Sequence, residues 1–565
     1  MTPPAAPPGS AAAAAADAGS ARIAALADEY WRQRLRADPI EATVLGYRQH
    51  DAEMPDVTAA GHARETARWE GLLVRVRAVD AHALTDGDRV THGTLIGEIE
   101  ADLARRACHL EEWTVDPRDG PQVGFLNLAR LQSVGSPEQA AAMVSRWQKM
   151  APLLDDMAAN LRRGLAAGKV APRGAVERVI KQLDDLLGSP DEAWVLYQPL
   201  AALRAAAPAI RSAFERYRQL LAREILPQAR DDARVGISHI PDGAACYARL
   251  IKVHTSLDAS AEEIHQFGLQ EVARIRREMS DLGGEVLGTM DLSEIQRRLR
   301  GDPALFFTTR EEIETKAVEA LRRSEAAVGR WLGRLPRTPC GVRRIEPYEE
   351  KDSTIAYYRQ AAIDGTRPGS YYVNTYAPAT RPRYEAEVLA FHESVPGHHT
   401  QIAIAQELTG IPEFRKHAGV TAFVEGWALY TERLANEMGL YSGDLDRMGM
   451  LSFDAWRASR LVVDTGMHVK RWSRQQAEKF MIENTVLAEN NIANEVDRYI
   501  GWPGQALAYK MGQREILRLR VEAERRLGAQ FDIRAFHDVV LGSGAVSLPV
   551  LRQQVARWMA DVGPR

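Results

Sequence analysis

Apolar residues at helical spacing dominate the first 340 residues of this 565-residue chain. Segments such as "ERVIKQLDDLL" and "IRSAFERYRQLLAREILPQAR" place apolar residues three or four positions apart, and alanine, arginine, leucine and glutamate, which favour helices, are plentiful. Short breaks at proline and glycine separate these segments, and no fixed period of about 20 to 50 residues indicates a solenoid. The pattern therefore predicts a mostly α-helical fold.

The composition changes between residues 341 and 380, where tyrosine, valine, threonine, proline and glycine become frequent. Such residues favour short strands and turns, so we expect a small β-sheet directly before the next helix. Within it, "GSYYVNTYAP" predicts an edge strand beside a cleft, where its backbone can pair with an extended peptide, although the strand can equally be wholly structural. Tyr371 and Tyr372 must point to opposite faces, and we assign Tyr372 to the substrate.

Helical patterns return after residue 380 and continue to the C-terminus. We therefore distinguish a helical part, residues 21–340, from a second part, residues 341–565, that carries the sheet and the candidate site. The two parts are expected to pack as one continuous body around a deep cleft, and a division into two lobes near residue 340 is the alternative. Residues 1–20 are rich in proline and alanine and are predicted to form a disordered tail.

Charge and cysteine content bear on partners and location. The 72 basic and 76 acidic residues are well mixed and give a net charge of −4, which predicts neither a nucleic-acid partner nor a basic membrane-binding patch. Cys108, Cys246 and Cys340 are far apart without CxxC spacing, which argues against a disulfide framework and against a thiolate metal site. With neither a signal-peptide pattern nor a long apolar run, a cytoplasmic protein is expected.

One short stretch, "AFHESVPGHHTQ" at residues 390–401, carries the candidate chemistry. His392 and Glu393 open it like a metallopeptidase helix, in which a zinc-binding histidine precedes a catalytic glutamate. The zinc-binding pattern HExxH needs a second histidine four residues after the first, because residues four apart lie on one face of a helix. Here the next histidines are His398 and His399, so the stretch can hold a metal only if the helix is interrupted.

The intervening sequence supplies such an interruption. In a continuous helix, His398 would lie about 9 Å along the axis from His392, too far to share one ion with it. Pro396 cannot donate a hydrogen bond to the carbonyl of His392, and Gly397 tolerates almost any backbone angle. A kink or bulge there can bring His398 back toward His392, so we expect a metal site built on a bent helix.

A third ligand is expected on a different element. The segment "FVEGWALYTERL" places Glu425 and Glu432 seven residues apart, hence on one face of a helix that also carries alanine and leucine. Glu425 lies far enough beyond His398 for a helix–loop–helix return to bring it to the metal. Glu432 is expected to hold a ligand histidine from behind, or to pair with an arginine.

Several segments resemble, in order, the bacterial domain-of-unknown-function family 885 (DUF885), whose members carry a His-Glu-x-x-Pro-Gly-His-His signature. Besides that signature they are "DPIEATVLGYRQHD", "RPGSYYVNT", "FVEGWALYTE", "LVVDTGMHVKRWS", "YIGWPGQALAYKMG" and "FHDVVLGSGAVSLPVL". The resemblance covers nearly everything from about residue 25 onward. It implies a mostly helical fold with a metallopeptidase-like site, similar in layout to helical zinc peptidases that use a glutamate as third ligand.

The same resemblance bears on the second ligand and on location. Some helical zinc peptidases place a glycine directly before the second histidine, which favours His398 over His399. Many relatives carry an export or lipoprotein signal that this sequence lacks, so their location need not be its own. The resemblance leaves the substrate open.

The ligand set predicts a hydrolytic mechanism. One zinc ion per chain, held by His392, His398 and Glu425, would leave a fourth position for water, lower the pKa of that water and polarise a substrate carbonyl. Glu393 would accept the water's proton and pass it to the leaving amine. The same ligands can also accept manganese, cobalt or iron.

Further candidates are expected around this centre. Tyr509 in "ALAYKMG" and His468 in "DTGMHVKRW" can donate hydrogen bonds to the oxyanion of a tetrahedral intermediate, although either can instead be a packing residue. An arginine or lysine can grip a substrate carboxylate, and a histidine beside the ligands can contact substrate or cap the bent turn. The residues assigned to substrate binding are Tyr372, His399, Arg460 and Lys510.

Three kinds of function compete. The leading one is a zinc-dependent hydrolase of peptide or amide bonds in small peptides or peptide-like molecules. The second keeps the metal and makes the protein an esterase, a deacylase or a tailoring enzyme of a specialised metabolite. The third is a metal-free pseudo-enzyme or binding protein, which the histidine spacing favours, but which gives no reason for Glu393, both histidines and Glu425 to occur together. No GxSxG pattern indicates a serine nucleophile.

Overall fold

The computed structural model describes residues 8–347, 349–351 and 353–563, and it is mostly α-helical, as the sequence predicts. The helices of the first part are joined by short loops and 3-10 turns. They are α1 (Pro8–Ala37), α2 (Pro39–Leu45), α3 (Ala59–Arg77), α4 (Asp86–Arg106), α5 (Pro121–Leu131), α6 (Pro137–Gln148), α7 (Met150–Ala166), α8 (Arg173–Leu187), α9 (Ala207–Leu220), α10 (Gly243–Thr255), α11 (Ala261–Leu287), α12 (Leu292–Gly301) and α13 (Arg310–Ala327).

The second part begins with the predicted small sheet and then becomes helical again. Its strands are β1 (Gly341–Arg344), β2 (Ala356–Arg359) and β3 (Ser370–Val373). Its helices are α14 (Ala386–Glu393), α15 (His398–Glu407), α16 (Glu413–Lys416), α17 (Thr421–Glu437), α18 (Asp444–His468), α19 (Arg474–Asn484), α20 (Glu489–Gly501), α21 (Ala508–Leu527), α22 (Ile533–Leu541) and α23 (Leu548–Val562).

The N-terminal segment differs from the prediction. Helix α1 begins at Pro8, where the sequence predicted a disordered tail over residues 1–20; residues 1–7 lie outside the described residues. The run of alanines over residues 11–16 has the highest helix propensity of any residue type. The prolines of this segment all occur at or before position 8, and proline is compatible with the first position of a helix. The helix propensity of the alanine run therefore explains why this proline-containing segment forms a helix.

The largest apolar core joins the two parts of the chain across residue 340. It combines side chains of α11–α13 with those of the sheet and of α14–α23. Helix α18 is buried along most of its length and packs against α11, while α17 packs against α21. A Cβ atom on Gly512 would overlap the carbonyl oxygen of Ala422, so the missing side chain lets α17 and α21 approach closely. This contact brings Glu425 on α17 near Tyr509 on α21.

The strand order corrects one prediction. The sheet has the order β1-β3-β2, with β1 parallel and β2 antiparallel to β3. Strand β3, which contains "SYYV", is therefore the central strand and not the predicted edge strand. Tyr371 lies between Val342 and Tyr358 in register, so its backbone is occupied on both sides. A bound peptide cannot add to this strand.

The cysteines provide a second correction. Cys108 and Cys246 form a disulfide, although they are 138 residues apart in the chain. The sequence analysis argued against a disulfide framework because the cysteines are far apart in the chain. That prediction failed because separation along the chain does not reveal separation in space. Cys340 is free and partly buried. A cytosolic location stays a prediction. Unpaired cysteines would have supported it, because disulfides are rare in the reducing cytosol, but the Cys108–Cys246 bond removes that support. Among the described residues, no helix has both the length and the apolar character needed to cross a bilayer.

Candidate metal centre

The interruption expected after His392 is present. Helix α14 ends at Glu393, α15 begins at His398, and a turn that contains a cis Val395–Pro396 peptide connects them. A Cβ atom on Gly397 would overlap the carbonyl oxygen of His392, so only glycine fits this turn. The ring centroids of His392 and His398 are 4.8 Å apart, about half the spacing that a continuous helix would impose.

Three ligand atoms converge at this turn. Glu425 Oε2 lies 3.6 Å from His392 Nε2 and 3.3 Å from His398 Nε2. Ligands about 2.0–2.2 Å from a tetrahedral zinc ion are separated from one another by about 3.3–3.6 Å. Glu425 Oε2 is buried and has no hydrogen-bond partner among the described residues. The spacing and the unpartnered oxygen both fit a metal ion held by these three residues.

Glu432 orients the first histidine from behind. Its Oε1 atom is 2.8 Å from His392 Nδ1, so Nδ1–H can donate to the carboxylate, which would leave the lone pair of Nε2 for a metal ion once the proton on Nε2 is lost. Arg457 Nη2 lies 3.3 Å from the same oxygen. Burial by itself lowers the pKa of His392, but the adjacent Glu425 and Glu432 raise it to about 9 in the metal-free protein. A proton therefore competes with the metal below that pH, and metal affinity should fall as the pH falls.

We expect a Glu432→Gln variant to bind zinc about 10- to 100-fold more weakly than the wild type, as is typical when an outer partner of a ligand histidine is lost. The amide keeps the shape but removes the charge that polarises His392. Competition with a chromogenic zinc chelator measures the change. Glu437→Gln is the matched control, because Glu437 lies on the same helix and pairs with Arg520 away from the site. Equal affinities for the two variants would contradict the role of Glu432.

A cavity of about 810 Å³ opens onto the three candidate ligands. Glu393, which is 7% exposed, lines it beside them. Tyr371 lines the same cavity, and its pKa is well above the usual value because of burial and the nearby charge of Glu393. The predicted general base and the predicted ligands therefore share one solvent-connected space.

Two of the other predicted residues also reach this cavity. Tyr509 lines it with its ring 6.4 Å from that of His392 and inclined by 16°. The Tyr509 hydroxyl accepts a hydrogen bond from Arg498 Nη2 at 2.9 Å, which leaves its own hydrogen free for a substrate. Arg460 lines the cavity with its guanidinium 4.4 Å from the Tyr509 ring. Asp464, four residues after Arg460 on the same helix, accepts a hydrogen bond from Tyr247.

His468 and Lys510 were assigned wrongly. His468 is fully buried away from the cavity, where Nδ1 accepts from the Ile237 backbone at 3.2 Å and Nε2 donates to the Tyr499 carbonyl at 2.9 Å. It has no free group for an oxyanion. Lys510 pairs with Asp454, and with Glu271 at 3.0 Å, on the side of α21 that faces away from the cavity. A helix turns by about 100° per residue, and here that turn takes Lys510 out of the cavity that Tyr509 lines.

His399 and Tyr372 also lie outside the lining of the cavity. His399 donates from Nε2 to the Thr338 carbonyl at 3.0 Å and accepts at Nδ1 from the Tyr358 hydroxyl at 3.1 Å, so it supports a lining residue without facing substrate. Tyr372 stacks on Tyr357 at 4.9 Å. Because side chains alternate along a strand, Tyr371 takes the place in the cavity that was assigned to Tyr372.

A second group with ligand chemistry lies at the surface. His62 Nδ1 and His109 Nδ1 are 3.3 Å and 3.4 Å from Glu111 Oε1. The three residues are partly exposed, and His62 lies on α3, far in the sequence from His109 and Glu111, which is why the sequence did not reveal the group. They do not line the cavity, but they can add to the metal content of the protein.

Comparisons with known proteins bear on this site. A family model described as "Bacterial protein of unknown function (DUF885)" matches residues 39–555. The chain belongs to this family. The match spans the bent helix and the third candidate ligand, and it confirms the family resemblance noted in the sequence. The description of DUF885 assigns no activity.

Two solved structures share the fold of this DUF885 protein. One, from Colwellia psychrerythraea, is 25% identical with a TM-score of 0.86, over 96% of this chain and 100% of the other. The second, from Shewanella oneidensis, is 18% identical with a TM-score of 0.73, over 94% and 99%. Each is described as a "putative lipoprotein", the second as one of unknown function. No curated protein matches significantly. These likenesses support the fold and name no activity.

Proposed function

We propose that this DUF885 protein is a metal-dependent hydrolase of peptide or amide bonds in small peptides or peptide-like molecules, with one zinc ion per chain. The observation that carries the proposal is the convergence of three ligand atoms, with the buried Glu425 Oε2 3.6 Å from His392 Nε2 and 3.3 Å from His398 Nε2. Such an oxygen costs free energy unless a cation or a donor satisfies it. Two histidines and one carboxylate with an open fourth position suit catalytic zinc.

The surrounding residues supply the rest of a hydrolytic site. Zinc, when bound, would polarise a substrate carbonyl and lower the pKa of water. Glu393, on the cavity wall beside the ligands, would accept a proton from that water and deliver it to the nitrogen of the breaking C–N bond. The water oxygen ends in the new carboxylate and its protons in the released amine. Tyr509, with its hydroxyl hydrogen free, would donate to the oxyanion.

The cavity favours small substrates. A volume of about 810 Å³ suits a ligand of a few residues, and walls from helices and the sheet exclude folded proteins. The chemistry by itself would also serve an ester or another acyl amide, so a substrate panel has to include these. Nucleic acid and membrane partners remain outside the proposal, and a cytosolic location remains part of it.

The test is metal content together with hydrolysis. Protein stripped of metal, then loaded with zinc and dialysed, is analysed by plasma mass spectrometry and assayed on N-acyl dipeptides and matched esters. About one zinc per chain should bind at the centre, and only loaded protein should hydrolyse the peptides. A His62→Ala, His109→Ala double variant shows how much zinc belongs to the surface group. A centre that stays empty under these conditions would favour a binding protein instead.

A further inference from the structure

The cavity wall next to Tyr509 carries an excess of positive charge. Arg460 Nη2 lies 2.9 Å from Glu495 Oε2, and Arg498 Nη1 lies 3.8 Å from Glu495 Oε1, so two guanidinium groups share one carboxylate. Burial raises the pKa of Glu495, but the neighbouring arginines lower it to about 2, so the glutamate is ionised at neutral pH. The group still has one positive charge left over.

These arginines also have unused donors. Arg460 Nη1, Arg498 Nε and Arg457 Nε are buried without a hydrogen-bond partner among the described residues, and all three side chains line the cavity. Arg460 is held rigidly, with its guanidinium 4.5 Å from the Trp456 ring and 4.4 Å from the Tyr509 ring. These nitrogens are covered by neighbouring atoms, so it is the positive charge that the three side chains bring to the cavity wall that favours an anion there.

The wall is close to the candidate ligands. The Tyr509 ring lies 6.4 Å from the His392 ring and 4.4 Å from the Arg460 guanidinium, so Arg460 is within about 11 Å of His392. An extended chain advances about 3.3–3.6 Å per residue. An anion held by Arg460 is therefore at most about three residues away from a bond positioned at the metal centre.

We infer that Arg457, Arg460 and Arg498 bind the C-terminal carboxylate of the substrate, so that the enzyme releases the last one to three residues of short peptides, or the amino acid of N-acyl amino acids. Arg457 is balanced by Glu432 at 3.3 Å, so the one positive charge that Arg460 and Arg498 keep beyond Glu495 matches a carboxylate better than a phosphate, which carries about two negative charges at neutral pH. This inference rests on the proposed function for the cleavage, but the binding of the carboxylate can be tested without it.

The test compares free acids with their amides. Zinc-loaded Glu393→Gln protein is titrated by calorimetry with N-benzoyl-glycyl-phenylalanine, two other N-acyl dipeptides and the carboxamide of each. The acids should bind about 10- to 100-fold more tightly than the amides, the range of a charge-assisted hydrogen bond. In the same background, Arg460→Gln should bring the ratio close to one. Arg381→Gln, which alters another arginine of the cavity, should leave the ratio unchanged.

Arg460 also contacts Tyr499 and Glu495, so its variant needs a folding check by circular dichroism and melting temperature. If it does not fold, Arg498→Gln takes its place. The ratio of acid to amide affinity measured with zinc-loaded Glu393→Gln protein still tests the inference. Equal binding of acids and amides, or no binding of any acid, shows the inference to be wrong. Acids that bind through these arginines but are not hydrolysed by the zinc-loaded wild type uphold the carboxylate site and refute the hydrolase proposal.

Discussion

A Glu393→Gln variant is expected to lose about 10²- to 10⁴-fold in kcat while binding as much zinc as the wild type. Glu393 lines the cavity but is not one of the three converging ligands, so its removal should spare the metal. Glutamine keeps the size of the side chain and cannot accept a proton from water. Single-turnover hydrolysis of an N-acyl dipeptide, beside plasma mass spectrometry on the same samples, separates loss of the base from loss of the metal.

Glu385 provides a demanding control for this experiment. It lines the same cavity, and burial raises its pKa to about 7 despite a hydrogen bond from Ser452. A pKa near 7 would by itself suit a general base at neutral pH. It precedes His392 by two turns of helix, however, or about 10 Å along the axis, and is not among the converging ligands. Glu385→Gln should keep kcat within about tenfold of the wild type, and full activity of Glu393→Gln would overturn its assignment as base.

The parts of the site that could be predicted depend on local chain geometry. His392 and His398 are separated by a proline and a glycine, and the conformations these residues allow explain the bend. Glu425 and Glu432 lie on one face of α17, so a single placement of that helix positions both. The helical class and the small sheet follow in the same way from periodicity and composition.

The wrong assignments depend on contacts between distant segments. His399 adjoins a candidate ligand and Lys510 adjoins a cavity residue, but one step along a helix turns a side chain by about 100°, and only tertiary packing sets which residue faces the cavity. The assignment of Tyr372 is wrong for a similar reason: neighbouring side chains in a strand point to opposite faces, and only tertiary packing sets which face lines the cavity. Three further features depend on segments that are far apart in the sequence. They are the order of the strands, the Cys108–Cys246 bond and the approach of Arg460 to Glu495, the residue that also pairs with Arg498.

A Glu425→Ala variant is expected to lose zinc from the centre, with a fall in affinity larger than the 10- to 100-fold typical of an outer partner. Two histidines would remain, which is one ligand fewer than catalytic zinc sites use. Plasma mass spectrometry after dialysis against a weak chelator should find about one zinc per chain in the wild type and almost none in the variant. Both proteins carry His62→Ala and His109→Ala in this comparison, so that the surface group does not contribute.

Thermal unfolding distinguishes a ligand from a residue that only supports the fold. Zinc at about 1,000 times its Kd should stabilise the wild type by about 4 kcal/mol, and it should not stabilise Glu425→Ala. Without metal, the variant is expected to be less stable than the wild type at neutral pH, because Glu425 helps to raise the pKa of His392 to about 9 and so stabilises the protonated ring. If Glu425 were only a structural partner of His392 and His398, zinc would instead stabilise Glu425→Ala as much as the wild type.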